Sequence, residues 1–285
     1  AVHATRGGPG GGSSLQKNLK LALAPERFDN RKALLAALDK LRSDIDTSGT
    51  LDGVDKFRLQ AFEMVVQGVA RAFDLSKEDP RTVSSYDTRR FVNETAYAHK
   101  SNGHARRRWY QNNAQTLGKL LLLARRLCEA GCGFVTITTR FVWDMHADSN
   151  NATMTEGMGY VGTPFDHAVS AFIEDVEARG LRDKILLVCC GEMGRNPKVN
   201  KKAGRDHWGG SAPLMVYGGG LKMGQVVGSS TKDGGEPASD RVTIPNLYAT
   251  IMDTVLDTGA VRAMVGIPPE VLQVINGASP IKQLM

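Results

Sequence analysis

Asp144, His146, Glu192, Asp206 and His207 are the residues of this chain whose types and grouping suit them to chemistry. They fall in two short stretches, the candidate loop Phe141 to Asp148 and Gly191 to Trp208. Carboxylate oxygen and imidazole nitrogen are the ligand set for zinc, manganese or a similar divalent ion. Two such ions a few Å apart can clamp the attacking and leaving oxygens of a phosphoryl or sulfuryl transfer. Arg195 adds a planar, permanently charged fork for an anion. The stretch Lys198 to Arg205 makes the same neighbourhood basic, so Arg205 joins Arg195 as a candidate for holding an anionic substrate. A structural reading stays open beside this one. In it Asp206 caps a turn, His207 packs beside Trp208, and Glu192 pairs with Arg195 or Arg205.

The surrounding pattern must bring the two stretches together. Gly133 to Thr138 reads as a strand rich in β-branched residues, and Lys184 to Cys190 as a second apolar strand. Between them, Thr163-Pro164-Phe165-Asp166 has the form of a helix start, with Thr as N-cap and Pro in the first turn, and Gly180 stops that helix. Strand, helix and strand at this spacing make a βαβ unit. Both candidate loops should then leave one sheet edge, beyond the carboxyl ends of the strands, where ligands sit in open α/β sheets.

The remaining elements follow in order. Residues 1–14 are a Gly-rich lead expected to be flexible. Residues 30–130 are mainly helical: Leu34, Leu35, Leu38, Leu41 and Ile45 recur at helical spacing, then Phe57, Ala61, Met64, Val65, Val69 and Ala72, then a helix over 114–130 ending at Gly131. Ser76 to Pro80 reads as a short turn, and 82–113 as a polar, basic excursion. After the site-bearing part, 131–260, come a strand at Pro213 to Tyr217, another at Gln225 to Gly228, and a helix opening at Thr243. The tail, 261–285, is irregular with a short helix near Glu270. Residues 15–285 are read as a single α/β domain.

The chain has 285 residues, of which 41% are hydrophobic and 23% charged, enough to build a substantial core. No apolar run approaches the roughly 18 residues of a membrane span. The formal net charge is +6, locally dense at His104 to Tyr110 as well as near the candidate site. Nucleic-acid binding by that first cluster is a lesser reading that predicts affinity falling steeply with salt; His99 and His104 read as solvent-facing. The four cysteines lack a zinc-finger spacing and read as buried structural thiols.

Trp143-Asp144-Met145-His146, the segment CGEMGRNP, AGRDHW and the following APLMVYGGGLKMGQVVGSS resemble the bacterial domain-of-unknown-function family 1501. RKALLAALDKLRSDID and AFDLSKEDPRT extend the likeness into the helical part. That family is grouped with the sulfatases in the alkaline phosphatase superfamily. The resemblance implies an alkaline-phosphatase-like α/β/α sandwich with a mainly parallel sheet, and one or two divalent ions (zinc, manganese or calcium). It implies a metal-dependent hydrolase acting on a phosphate or sulfate ester. Asp144 and His146 resemble its first metal pair, His207 its later isolated His ligand, and Glu192 stands where relatives place an Asp after a strand. Glu192 and Asp206 would reach a second ion. The chain departs from the pattern at Met193, where active relatives often carry a second His ligand, and at Asn196, where the family usually has Thr. The likeness begins in the middle of the family's length, so the first strands and the nucleophile are expected from an upstream segment or a second polypeptide. A non-catalytic secreted or envelope scaffold is the alternative. The family's usual export signal implies a periplasmic or extracytoplasmic location.

Overall fold

The computed structural model describes residues 2–4, 69–95, 103–138, 143–149 and 151–285, and the helices expected between Asn30 and Gly68 lie outside these. The fold is mixed helix and sheet. It divides into two compact units, Ala1–Tyr86 with Lys119–Thr139, and Asp87–Gly118 with Arg140–Met285.

In the first unit, Val2–Ala4 within the Gly-rich lead forms strand β1, which pairs in parallel with β2, Val135–Ile137. The unit also holds α1 (Val69–Ala72), α2 (Pro80–Ser85) and the C-terminal part of α3 (Gly103–Glu129). The helix expected over 114–130 therefore begins well inside the stretch read as a polar excursion. Its basic first turns hid the period, because Ala, Arg and Gln favour helix without marking an apolar face. Gly131 ends it with φ 90°, and the amides of Cys132 and Gly131 return to the carbonyls of Leu127 and Cys128, which closes a Schellman cap. Ala72, Leu127 and Cys132 form the small core.

Glu78 ties this unit together. Its carboxylate accepts from Arg125 at 2.7 Å and from Arg126 at 2.6 Å. Arg126 also donates to the carbonyls of Arg71, Ala72 and Asp74, just where α1 ends. Burial by itself raises the Glu78 carboxyl, but the hydrogen bonds from Arg126 and Arg125 outweigh it and hold the group down at about 2.

In the second unit, α4 runs from Met154 to Ala178. It starts ten residues before the expected start at Thr163-Pro164. The true N-cap is Thr153, whose hydroxyl accepts the Glu156 amide while the Glu156 carboxylate returns to the Thr153 amide. A capping box satisfies two orphan donors, whereas Pro164 merely lacks an amide and is carried inside the helix, buried. Gly180, with φ 63°, ends α4 as expected.

Strand β3, Leu186–Cys190, pairs with β6, Leu214–Gly218, and the pairing is antiparallel. The expected βαβ pairing with the strand near Val135 does not occur in these ladders, since β2 takes β1 and β3 takes β6. Among the described residues one pairing is parallel and three are antiparallel, so the mainly parallel sheet is not what these ladders show. A parallel return needs a crossover, usually a helix. Nothing helical lies between Cys190 and Leu214; the connection instead contains β4 (Gly194–Arg195) and β5 (His207–Trp208). Further on, β7 (Ser229–Ser230) and β8 (Pro237–Ser239) form a small hairpin, displacing the strand expected at Gln225 to Gly228. Helices α5 (Ile244–Val255), α6 (Thr258–Ala263) and α7 (Pro269–Asn276) complete the chain, α5 opening on a Thr243 cap as expected.

All four cysteines are free. Burial pushes the thiols of Cys128 and Cys189 up to about 11. The expectation of four buried thiols holds fully only for Cys132; Cys128 and Cys189 are half-buried, and Cys190, at the last residue of β3, is exposed. No helix among the described residues is long and apolar enough to cross a membrane.

Candidate metal centre

The segment from Trp143 to His146 has no regular secondary structure, and its side chains divide between the core and the site. Met145 is buried with Tyr110, Ala152 and Val161 in the core beside α4. Trp143 packs edge-on against Phe165 of α4, ring centroids 5.4 Å apart. With Met145 anchored in the core, Asp144 and His146 project together from the other side. Asp144 is 7% exposed, while His146 keeps a partly open edge. The chain then turns sharply, Ala147 having φ 59° and its amide reaching the carbonyl of Ala152.

The second half of the site comes from the β4–β5 hairpin. Arg195 and His207 are directly opposed residues in that pair, and opposed residues share a face of the ribbon. Both side chains reach Asp144. Its Oδ1 lies 2.6 Å from Arg195 Nη1, 2.5 Å from His146 Nε2 and 3.1 Å from His207 Nε2. The two Nε2 atoms are 2.9 Å apart. Three atoms that carry lone pairs thus close on one point.

Such a triangle repels itself unless positive charge sits within it, whether protons on the rings or a cation. Tetrahedral zinc with bonds near 2.0–2.1 Å sets its ligand atoms about 3.3 Å apart. The observed edges of 2.5, 2.9 and 3.1 Å are all shorter than that, most of all the one between Asp144 and His146, so seating an ion requires these two side chains to move apart. Two imidazole nitrogens and one carboxylate oxygen are a fitting set for zinc or manganese.

Backbone contacts lock the two stretches. The Arg205 amide donates to the carbonyl of Met145, and the Met154 amide to that of Ala203. Asn200 joins four partners. Its Nδ2 donates to the His146 carbonyl at 3.0 Å and to Asp206 Oδ1 at 3.1 Å, and its Oδ1 accepts the amides of Lys202 and Gly204. Gly204 passes so close to His146 that a Cβ there would stand 2.2 Å from the His146 carbonyl carbon and oxygen. Backbone cannot yield as a flexible side chain does. Gly204→Ala is therefore expected to push the two loops apart, lowering the melting temperature by several degrees (about 1–3 kcal/mol). The same variant should lose divalent-ion affinity; thermal melts with and without added zinc check both.

The residues predicted from sequence separate into distinct roles. Asp144, His146 and His207 form the cluster, with ligand atoms all within 4.8 Å of one another. Asp206 lies outside it, its carboxylate 3.5 Å from the other ring nitrogen of His146, Nδ1. That is the place of an outer carboxylate that orients a ligating ring, and not of a ligand to a second ion. Glu192 is exposed at the turn between β3 and β4, with no part in the cluster, and Met193 beside it is 36% exposed. Arg205 donates through Nη1 to the carbonyls of Asn196 and Pro197. That nitrogen pins the hairpin loop. Arg195 spends one N–H on Asp144 and has no other partner among the described residues.

Sequence reasoning missed Asn200, Lys201, Lys202 and Asp148 as individual residues. With His146 and Asp206 they line an open cleft of about 470 Å³. Only the density of positive charge between Lys198 and Arg205 hinted at it.

No curated protein and no solved structure matches the chain at a significant level. Its residues 2–261 match the model of a family described as a protein of unknown function (DUF1501). On that match, which spans most of its length, the chain belongs to the DUF1501 family.

Proposed function

We propose that this chain is the metal-holding part of a hydrolase-like protein of the sulfatase and alkaline phosphatase type, acting on a phosphate or sulfate ester. One observation carries the reading: Asp144 Oδ1, His146 Nε2 and His207 Nε2 converge in a triangle with edges of 2.5, 2.9 and 3.1 Å. Two imidazoles favour zinc or manganese over calcium, which prefers a shell of oxygens. Asp144, His146 and His207 would hold one such ion, and its charge would polarise an ester oxygen.

The chain's own residues supply the rest. Asp206 faces the second nitrogen of the His146 ring, and Asn200 holds both the Asp206 carboxylate and the His146 carbonyl. Arg195, directly beside Asp144, keeps N–H groups that can meet the ester's anionic oxygens in a charge-assisted pair. Met145, Tyr110 and Val161 exclude water from one side of the loop. Because Glu192 and Asp206 both stand apart from the triangle, the arrangement supports one ion in this chain. The alkaline-phosphatase-like sandwich and an extracytoplasmic location belong to the same proposal through the family likeness.

Elemental analysis of the purified chain, with turnover of p-nitrophenyl phosphate and p-nitrophenyl sulfate after addition of zinc or manganese, tests the proposal. About one equivalent of ion and metal-dependent release of nitrophenolate from either ester are expected. A chain that takes up no ion and hydrolyses neither ester is better described by the second reading, a scaffold that kept the fold without the chemistry. Exposed Met193, where active relatives often carry a second His ligand, is the observation favouring that alternative.

A further inference from the structure

The loop between β4 and β5 does more than deliver His207. Its tip, Asn200-Lys201-Lys202-Ala203, curls through a turn in which the Ala203 amide returns to the Asn200 carbonyl and Ala203 takes φ 64°. Asn200, Lys201 and Lys202 of the tip line the cleft of about 470 Å³ together with His146, Asp148 and Asp206. That volume lies within the range of small-molecule pockets, about 300–1,000 Å³, and far exceeds what a lone sulfate or phosphate fills.

The polar groups of the cleft differ in how far they are already engaged. Asp206 accepts from Asn200 and faces the His146 ring, and Asp148 accepts the Asn151 amide. The Asn200 side chain is committed at both ends. The ammonium groups of Lys201 and Lys202 are exposed, and neither has an ion-pair partner among the described residues. They are therefore the groups in the cleft left to meet a ligand. They cannot drift far from the triad, because Asn200 holds the backbone of Lys202 and that of His146 with one side chain.

We propose that Lys201 and Lys202 form a second anion subsite, so that the ester taken by the neighbouring triad carries a further sulfate, phosphate or carboxylate group. The inference rests on the ester reading given above and narrows it from any ester to a polyanionic one. An ester bound at Asp144, His146 and His207 has the open cleft beside it, and the part of the molecule extending there meets positive charge. Two exposed ion pairs are each worth little. Together they give a preference of roughly five- to tenfold, which decreases with added salt.

Isothermal titration of the full chain, supplied with manganese, compares fructose 6-phosphate with fructose 1,6-bisphosphate; 3-phosphoglycerate reads whether a carboxylate serves as the second anion. The expected result is roughly five- to tenfold tighter binding of the bisphosphate. The double variant Lys201→Ala, Lys202→Ala should bring that ratio toward one. Lys198→Ala removes a charge from the same loop outside the cleft lining and should leave the ratio in place. A parent ratio near one, a ratio that survives the double substitution, or failure to bind either sugar phosphate overturns the subsite. Ion content measured on the same samples separates the two ideas. A chain without ion that still prefers the bisphosphate through these lysines sinks the ester reading and keeps the subsite. An ion-loaded chain with no preference does the reverse.

Discussion

Changing Asp144 to asparagine is expected to weaken divalent-ion binding by at least about a hundredfold, in a protein that still folds. Asp144 Oδ1 is the one atom that Arg195, His146 and His207 all approach. An amide keeps the size of the side chain, and its oxygen still accepts from Arg195, so the cost in stability stays near that of one weakened charged hydrogen bond, about 1–2 kcal/mol. The negative charge is gone, however, and a neutral amide oxygen is a much poorer partner for a divalent ion than a carboxylate. Losing an outer partner alone typically costs 10–100-fold in affinity, and Asp144 is closer in than that. Titration with zinc, read beside a denaturant melt, separates the two effects. Unchanged ion affinity in a folded Asp144→Asn variant would overturn the assignment of this carboxylate.

Changing Glu78 to glutamine should destabilise the first unit by about 3 kcal/mol at neutral pH. The Glu78 side chain is only 7% exposed and meets Arg125, itself 1% exposed, and Arg126. Removing one partner of a buried pair leaves the other charge poorly compensated, at a cost of about 3–5 kcal/mol. Here Arg125 keeps Glu129 and Arg126 keeps three backbone carbonyls, which places the effect at the lower end. The pH dependence has a definite sign. The carboxyl lies near 2 in the folded chain against an ordinary 4.5, so its stabilisation is complete above about 4.5 and disappears as pH falls from there through 2. A shift of that size corresponds to about 3 kcal/mol. Urea melts between pH 7 and pH 2 should show the parent losing this increment and the variant lacking it throughout. Equal stability of the two at pH 7 would refute it.

The site was legible in residue types, while its geometry was legible only in part. Asp144, His146 and His207 stood out because carboxylate and imidazole are the usual ligands. The meeting of their two stretches was inferred from a parallel βαβ unit. In the structure it comes from an antiparallel hairpin, from backbone bonds of Arg205 to Met145 and of Met154 to Ala203, and from the Asn200 side chain on the His146 carbonyl. Hydrophobic periodicity identifies a strand but not its partner, and β3 carries the same apolar run whichever direction β6 takes. Asn200 was invisible because Asn in a Gly- and Lys-rich stretch reads as an ordinary turn residue; three of its four hydrogen bonds stay within its own loop, and the one to the His146 carbonyl depends on a loop distant in sequence. The backbone acceptors of Arg205 were equally invisible, since charge beside a candidate site does not reveal which carbonyls it meets. In α4, Thr163-Pro164 offered a convincing start, and the stronger signal at Thr153 and Glu156 ten residues earlier went unread.

The hairpin between Gly194 and Trp208 concentrates functions that other sites spread across several elements. It carries His207, Arg195, the orienting Asp206 and Asn200, and both cleft lysines on one excursion, closed at its base by a single two-residue ladder. Inheritance of the chemistry is consequently all or nothing. On the proposed function, a lineage that trims this excursion would forfeit the ion, the anion fork and the second charge together, while β3 and β6 lie outside it. Descendants of such an event would be well-folded, inert proteins.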